Sequence, residues 1–237
     1  MEDTSGPWME YFAHKEARDQ QGQFMADAYL SLIKGRTIIA EAPTGLGKTA
    51  ASLASALAAM KQSENVKKIL FLTGRQSQHK IVIDTVRKLN DNRKDHPNVA
   101  IVDLIGRESM CGKLTIDRQC FCEEGVSEKA RGGRRSQLKR WILEWPRHVE
   151  ETVKNGRIEG TCPYMCCIEA AREAEIIVMD YNHVFVESVS DSSLPSMSID
   201  VGSSIVIVDE AHNLPDRIKM GLEMRLTSKT VRDARFE

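Results

Sequence analysis

The chain predicts an α/β fold in which a parallel sheet is covered by helices on both faces. Three observations predict it. Short apolar runs alternate with segments of helical periodicity, the rhythm of a βαβ chain. The Gly-rich turn Glu41-Ala42-Pro43-Thr44-Gly45-Leu46-Gly47-Lys48-Thr49 lies between the apolar residues 37–40 and an Ala- and Leu-rich stretch reaching Met60. That is the strand, loop and helix setting of a phosphate-binding loop. Finally, Ile205-Val206-Ile207-Val208 runs into Asp209-Glu210, placing two carboxylates at the edge where open α/β sheets hold ligands.

The elements follow in order. Residues 26–32 read as a helix ending at the Lys34-Gly35 turn, and residues 37–40 as the strand feeding the Gly-rich loop. Lys68–Leu72 fits a buried parallel strand. Residues 76–89 repeat Ile81, Val82, Thr85, Val86 and Leu89 at helical spacing. Residues 90–98 are polar and predict a loop, and residues 99–104 predict a strand. Residues 175–179 and Ser204–Val208 supply two more strands, joined by a Ser-rich linker over residues 188–200. Residues 221–226 have strand character in an otherwise charged tail.

Residues 106–167 break this rhythm. They hold all six cysteines and are rich in Lys, Arg and Glu. Such a segment predicts an insertion with its own small core, which at that size calls for a metal centre.

Composition bounds the rest. The chain has 237 residues and a net charge of -1, so any anion-binding surface is local. No stretch reaches the roughly 18 apolar residues of a membrane span, and the acidic, aromatic start has no signal-peptide character. A cytoplasmic protein without membrane contact is expected, its cysteines serving as metal ligands or buried thiols.

The chemistry of the two motifs is complementary. Backbone N–H groups from Gly45 through Gly47 to Lys48 would wrap phosphates at a helix N-terminus. Lys48 would reach the β and γ phosphates of ATP, and the Thr49 hydroxyl would sit on Mg²⁺. Asp209 would hold the Mg²⁺ through water, and Glu210 would polarise the attacking water as general base. His212 would face the far side of the cleft.

Asp209-Glu210-Ala211-His212-Asn213-Leu214 resembles the second ATPase motif of the XPD/Rad3 and DinG group of superfamily 2 DNA helicases. From about Arg18 to Pro215 the chain resembles the front part of an archaeal XPD-type enzyme. The resemblance implies a RecA-like P-loop NTPase domain carrying a small cysteine-rich iron–sulfur cluster insertion. It also explains Ala42 at the first position of the loop, where the general pattern has Gly. Arg18 and Gln21 match the element that contacts adenine. Ser77 and Gln78 match the element that touches the DNA backbone, with its Arg displaced by one residue to Arg75. Tyr181-Asn182-His183 resembles a Tyr-Asn-Tyr element near the bound strand. Residues 1–105 and 168–215 would then form the two parts of the first motor domain. Residues 106–167 would be the cluster insertion, and residues 216–237 the start of an arch-like insertion, cut short.

Cys111, Cys120, Cys122 and Cys162 are the expected metal ligands, with Cys166 in reserve and Cys167 as a core thiol. Thiolates suit zinc and iron alike; the resemblance favours a [4Fe-4S] cluster. Gly106-Arg107 leading to Cys111, and Cys162-Pro163-Tyr164, match the elements carrying the family's first and last ligands.

Residues 129–147 carry Arg134, Arg135, Lys139 and Arg140 among other basic groups, a local excess expected to contact single-stranded DNA. Trp141 and Trp145 stand one helical turn apart and either stack on bases or pack their helix onto the insertion. The resemblance implies ATP-driven 5′-to-3′ travel on DNA, repair factors as partners, and a second RecA-like domain. That domain is absent from this sequence, so an N-terminal piece of a longer protein is expected. The competing expectation is a DNA-binding scaffold whose ATP site is a relic.

Overall fold

In β1 (Lys68–Leu72), side chains alternate between two apolar faces, and those faces organise the molecule. The computed structural model describes residues 6–43, 45–111 and 123–223. Before β1 come α1 (Asp19–Ile33) and α2 (Lys48–Gln62); after it come α3 (Gln76–Asn92), β2 (Ile101–Asp103) and the short α4 (Arg107–Met110). The cysteine-bearing interval contributes α5 (Glu128–Glu144), α6 (Val149–Glu159) and α7 (Pro163–Ala171). Then follow β3 (Ile176–Met179), α8 (Asn182–Phe185), α9 (Glu187–Ser196), β4 (Ser204–Val208) and α10 (Leu214–Leu222).

The four strands pair in parallel in the order β2-β3-β1-β4. Ile69, Phe71, Ile176, Val178 and Ile205 join a core with α1, α2 and α3. From Ala50 to Met60 every residue of α2 except Ser52 is buried, which accounts for its lack of polar face. Leu70, Leu72, Val102, Ile177 and Met179 face the opposite core, which they share with Leu138, Ile142, Val149 and Ile168 of the inserted helices. The insertion therefore does not fold around a separate core among the described residues. Its helices form the second layer of the sheet, because the sheet's other face is apolar and needs cover.

Several sequence expectations change here. Residues 37–40 form no strand: Ile39 is 96 % exposed, and β4 has β1 as its only ladder partner among the described residues. Apolar composition alone makes no strand without a hydrogen-bonding neighbour. In α3 the buried face is Val82, Ile83, Val86 and Leu89, with His79, while Ile81 points outward. The helix also runs on through Asn92, three residues into the expected loop. The Ser-rich linker is largely the helix α9. Hydroxyls of Ser190, Ser192 and Ser196 donate to carbonyls three residues back, and Met197 and Ile199 just beyond it enter the core. Serine's usual competition with the helix backbone is satisfied here inside the turn. Residues 221 and 222 close α10 instead of opening a strand; residues 224–226 lie outside the described residues.

Candidate nucleotide site and cysteine-bearing layer

The Gly-rich loop owes its shape to two glycines. Gly45 and Gly47 have φ of 89° and 83°, a region L-residues enter at a cost. At Gly47 a Cβ would also stand 2.4 Å from Gln21 Nε2. Gly47 is the N-cap of α2, so Lys48 and Thr49 open that helix and its N–H groups face the loop. Arg18 and Gln21, expected at adenine, reach the loop backbone: Arg18 Nη1 donates to the Gly45 carbonyl, and Gln21 Nε2 to the Gly47 carbonyl at 3.3 Å. Gln21 is 4 % exposed, so its amide is committed to holding the loop. Thr44 lies outside the described residues.

The second motif meets this loop. Asp209 follows β4, its N–H donating to the Leu72 carbonyl at 2.9 Å. Glu210 adopts a left-handed conformation, φ 51° and ψ 47°, which is strained for a non-glycine residue. The strain persists because the turn is over-determined. Tyr181 donates its hydroxyl to the Asp209 carbonyl and, at 3.4 Å, shares it with the Glu210 carbonyl. Asn213 donates its backbone N–H (3.0 Å) and side-chain Nδ2 (3.2 Å) to that same Glu210 carbonyl. The turn delivers Glu210 Oε1 to 3.9 Å from Lys48 Nζ, while Lys48 also donates to the Ala42 carbonyl at 3.1 Å. Burial, then the neighbouring Glu210 charge, raise the Asp209 pKa, and Lys48 opposes them. Lys48 and Glu210 thus meet at one edge of the sheet, each beside the other expected site residue of its motif, Thr49 and Asp209.

Tyr181 is the residue whose role the sequence did not reveal. Its ring is 1 % exposed and packs under Gly74, where a Cβ would come 3.0 Å from the ring. It is therefore a strap on the Asp209-Glu210 turn, not an exposed platform for bases. Its signal was only its place just past a buried strand. Tyr181→Phe in the full-length protein is expected to lower kcat about tenfold, as loss of a buried hydrogen bond at the barrier does. Nucleotide Kd should stay near the parent value. A kcat equal to the parent's would show that the turn holds itself.

Arg75 and Gln78 stand at the start of α3, Arg75 exposed as its N-cap and Gln78 half-buried. His79 is buried, and its Nδ1 lies 2.6 Å from Asp103 Oδ1. His183 is buried as well, and burial lowers its pKa. Arg134 donates to the Gly160 carbonyl at 3.3 Å, Arg135 grips Glu123, and Lys139 pairs with Glu173 at 2.7 Å; Arg140 is exposed. Trp141 packs against the second core, with the Arg147 guanidinium 4.1 Å from its ring centroid. That is the packing reading of this tryptophan.

Cys111 and Cys162 are both buried, and their elements meet: the Arg107 guanidinium lies 5.0 Å from the Tyr164 ring centroid. Cys162 is the N-cap of α7. Burial pushes the Cys166 thiol up to about 12 and that of Cys167 well above its ordinary value. Cys120 and Cys122 lie outside the described residues. Among the described residues no group of three or more His, Cys, Asp or Glu side chains is placed to hold a metal ion. Nor is any helix there long and apolar enough to cross a membrane.

Comparison with known proteins fits this geometry. The DEAD_2 family matches residues 71–231, more than half of the chain, and the DEAD/DEAH box helicase family matches residues 19–114. Regulator of telomere elongation helicase 1 of Rattus norvegicus is 31% identical over 123 residues, 52% of this chain and 9% of that protein. ATP-dependent DNA helicase CHL1 of Saccharomyces cerevisiae is 36% identical over 81 residues, 34% of this chain and 9% of its own length. The chain therefore spans only a small part of these relatives. A solved structure titled "Truncated XPD" superposes with a TM-score of 0.59 at 22% identity, covering 89% of this chain and 58% of that one. Another, titled "XPD_Helicase", gives 0.59 at 22% identity over 87% and 34%. Likeness at that identity speaks for the fold. The DEAD_2 match over residues 71–231 shows the family: the chain belongs to the DEAD_2 family, with its two nucleotide motifs at one sheet edge.

Proposed function

We propose that this chain is the nucleotide-binding part of an iron–sulfur DNA helicase of the XPD/Rad3 type, resembling the archaeal enzymes and working in DNA repair. The observation that carries the reading is the meeting of Lys48 and Glu210 at 3.9 Å beneath the Gly45–Gly47 cradle, with the strained turn strapped by Tyr181. A relic site would have no reason to keep a left-handed glutamate aimed at the loop lysine. The scaffold alternative loses ground on that point.

The residues fit ATP and Mg²⁺. Gly45, Gly47 and the first N–H groups of α2 would cradle the phosphates, Lys48 would offset their charge, and Thr49 with Asp209 would hold Mg²⁺, which supplies charge stabilisation at the transferring phosphoryl group. Glu210 takes the proton of the attacking water; its carboxylate is poised because the turn fixes its backbone. Arg18 and Gln21 act one step back by holding the loop carbonyls. A second RecA-like domain would close the cleft. Arg75, Gln78 and Arg140 would meet single-stranded DNA, along which the whole enzyme moves 5′ to 3′ toward a duplex junction.

For the metal, Cys111 and Cys162 fit the outer ligands of a [4Fe-4S] cluster, with Cys120 and Cys122 completing the set. The test uses the full-length protein purified without oxygen. It should be brown, carry about four irons per chain as a cubane requires, and hydrolyse ATP faster when single-stranded DNA is added. One zinc per chain in colourless protein would replace the cluster with a structural zinc. No response of ATP turnover to DNA would sink the helicase reading.

A further inference from the structure

We infer that Arg135 is a positioning residue for the cysteine ligand turn, acting through Glu123, and belongs to the frame of the metal site instead of a DNA surface. Glu123 is 9 % exposed and lies between α5 and the Thr161-Cys162 turn. Its carboxylate accepts from Arg135 Nε at 2.9 and 3.1 Å and from Arg135 Nη2. It also accepts from the Thr161 hydroxyl at 2.7 Å and from the Cys162 backbone N–H at 3.2 Å. Arg131 Nε stands 3.6 Å away as a second cation. On its other side the Arg135 guanidinium reaches Glu169 Oε1 at 3.4 Å, on the helix that Cys162 opens.

The arrangement is a clamp. The planar fork of Arg135 ties α5 to α7, and the carboxylate it fixes holds the backbone of a ligand residue. Exposed ion pairs contribute little, but this carboxylate is nearly out of water and engaged on both oxygens, where charge-assisted bonds set geometry. A guanidinium so engaged is not available to a phosphate. Its neighbours on α5 behave alike: Arg134 is held by the Gly160 carbonyl and Lys139 by Glu173. Arg140 is exposed, with no carboxylate paired to it among the described residues. The basic character of this helix is thus chiefly glue between the inserted helices.

The inference rests on the metal reading above, so the experiment separates the two. Full-length parent, Arg135→Ala, Arg135→Lys and Arg140→Ala proteins would be compared for iron and zinc content, rate of metal loss to a chelator, and salt dependence of single-stranded DNA affinity. Arg135→Ala should lose metal about 10- to 100-fold faster, the range seen when support of a ligand is removed, with an unchanged salt slope. Arg140→Ala should keep its metal and lower the slope by about 0.7. Metal loss at the parent rate in Arg135→Ala overturns the clamp, as does a slope reduction equal to that of Arg140→Ala. Should Arg135→Ala lose its helical circular dichroism, Arg135→Lys decides, since it keeps the charge and lacks the fork. It should then still release metal faster than the parent, and parent-like release would overturn the clamp. A parent with neither iron nor zinc sinks the metal reading alone. The clamp is then read from alkylation of Cys162, which should be faster in Arg135→Ala; equal rates would overturn it.

Discussion

Replacing Lys48 with Ala is expected to cut ATP turnover by the full-length protein on single-stranded DNA by about two to three orders of magnitude, the loss seen when one preorganised charge-stabilising group is removed. The lysine stands at the first turn of α2, held by the Ala42 carbonyl at 3.1 Å and facing Glu210 at 3.9 Å. In the proposed site it is the cation that the Gly45–Gly47 cradle would present to bound phosphates. Its removal leaves their charge without a point partner and leaves Glu210 without the group it now faces. The fold should hold, because Lys48 is half-buried and its methylenes fill no core position. Steady-state hydrolysis and nucleotide affinity, measured together with a thermal melt, decide the matter. A variant with the parent's turnover would remove this site from the chemistry altogether. Glu210→Gln sharpens the comparison: it should keep nucleotide affinity near the parent's while losing turnover, because the cradle remains and only the base is neutralised.

Much of this site was legible because its parts are local. A Gly-Lys-Thr turn before an alanine-rich helix, and two carboxylates after four β-branched residues, carry their meaning in adjacent residues. Strands β1 and β4 were read at their observed bounds, since each is a short apolar run closed off by polar residues. What was not legible depends on partners distant in sequence. Residues 37–40 have the composition of a strand but no ladder partner. Tyr181 meets the Asp209-Glu210 turn 28 residues away, and spacing gives no hint of it. The basic run over residues 129–147 showed its charges but not the acids waiting at Glu123, Glu169 and Glu173. Charge counted along the sequence overstates what a surface can offer to DNA.

The same limit hid the buried Asp103, and it leads to the largest expected change in stability. Asp103 ends β2 at 2 % exposure. It receives the Val149 N–H at 2.9 Å, lies 2.6 Å from His79 Nδ1, and stands 3.7 Å from His148 Nδ1. One carboxylate thus joins the sheet, α3 and the first turn of α6, coupling the sheet to the inserted helices. Burial works against its ionisation, but the nearby His148, the hydrogen bond with His79 and its charge, and the Val149 N–H outweigh that and hold its pKa below the ordinary value. Asp103→Ala would leave the buried Val149 N–H without an acceptor and His79 Nδ1 without its buried partner. Removing one member of such a buried set costs about 3–5 kcal/mol, or roughly 10 °C in Tm for a domain of this size. The pH dependence has a definite sign. A carboxylate with a depressed folded pKa stabilises the fold above its ordinary value of about 3.9, and that contribution drains away as pH falls through the folded pKa. The gap between parent and variant in denaturant midpoint should therefore be full at pH 7 and at pH 5 and should narrow toward pH 3. A gap below about 1 kcal/mol at pH 7, within the range of an ordinary surface change, would show that β2 and α6 are held by their apolar contacts alone. A gap that widened in acid would mean that Asp103 is protonated in the native protein and serves as a neutral hydrogen-bonding group.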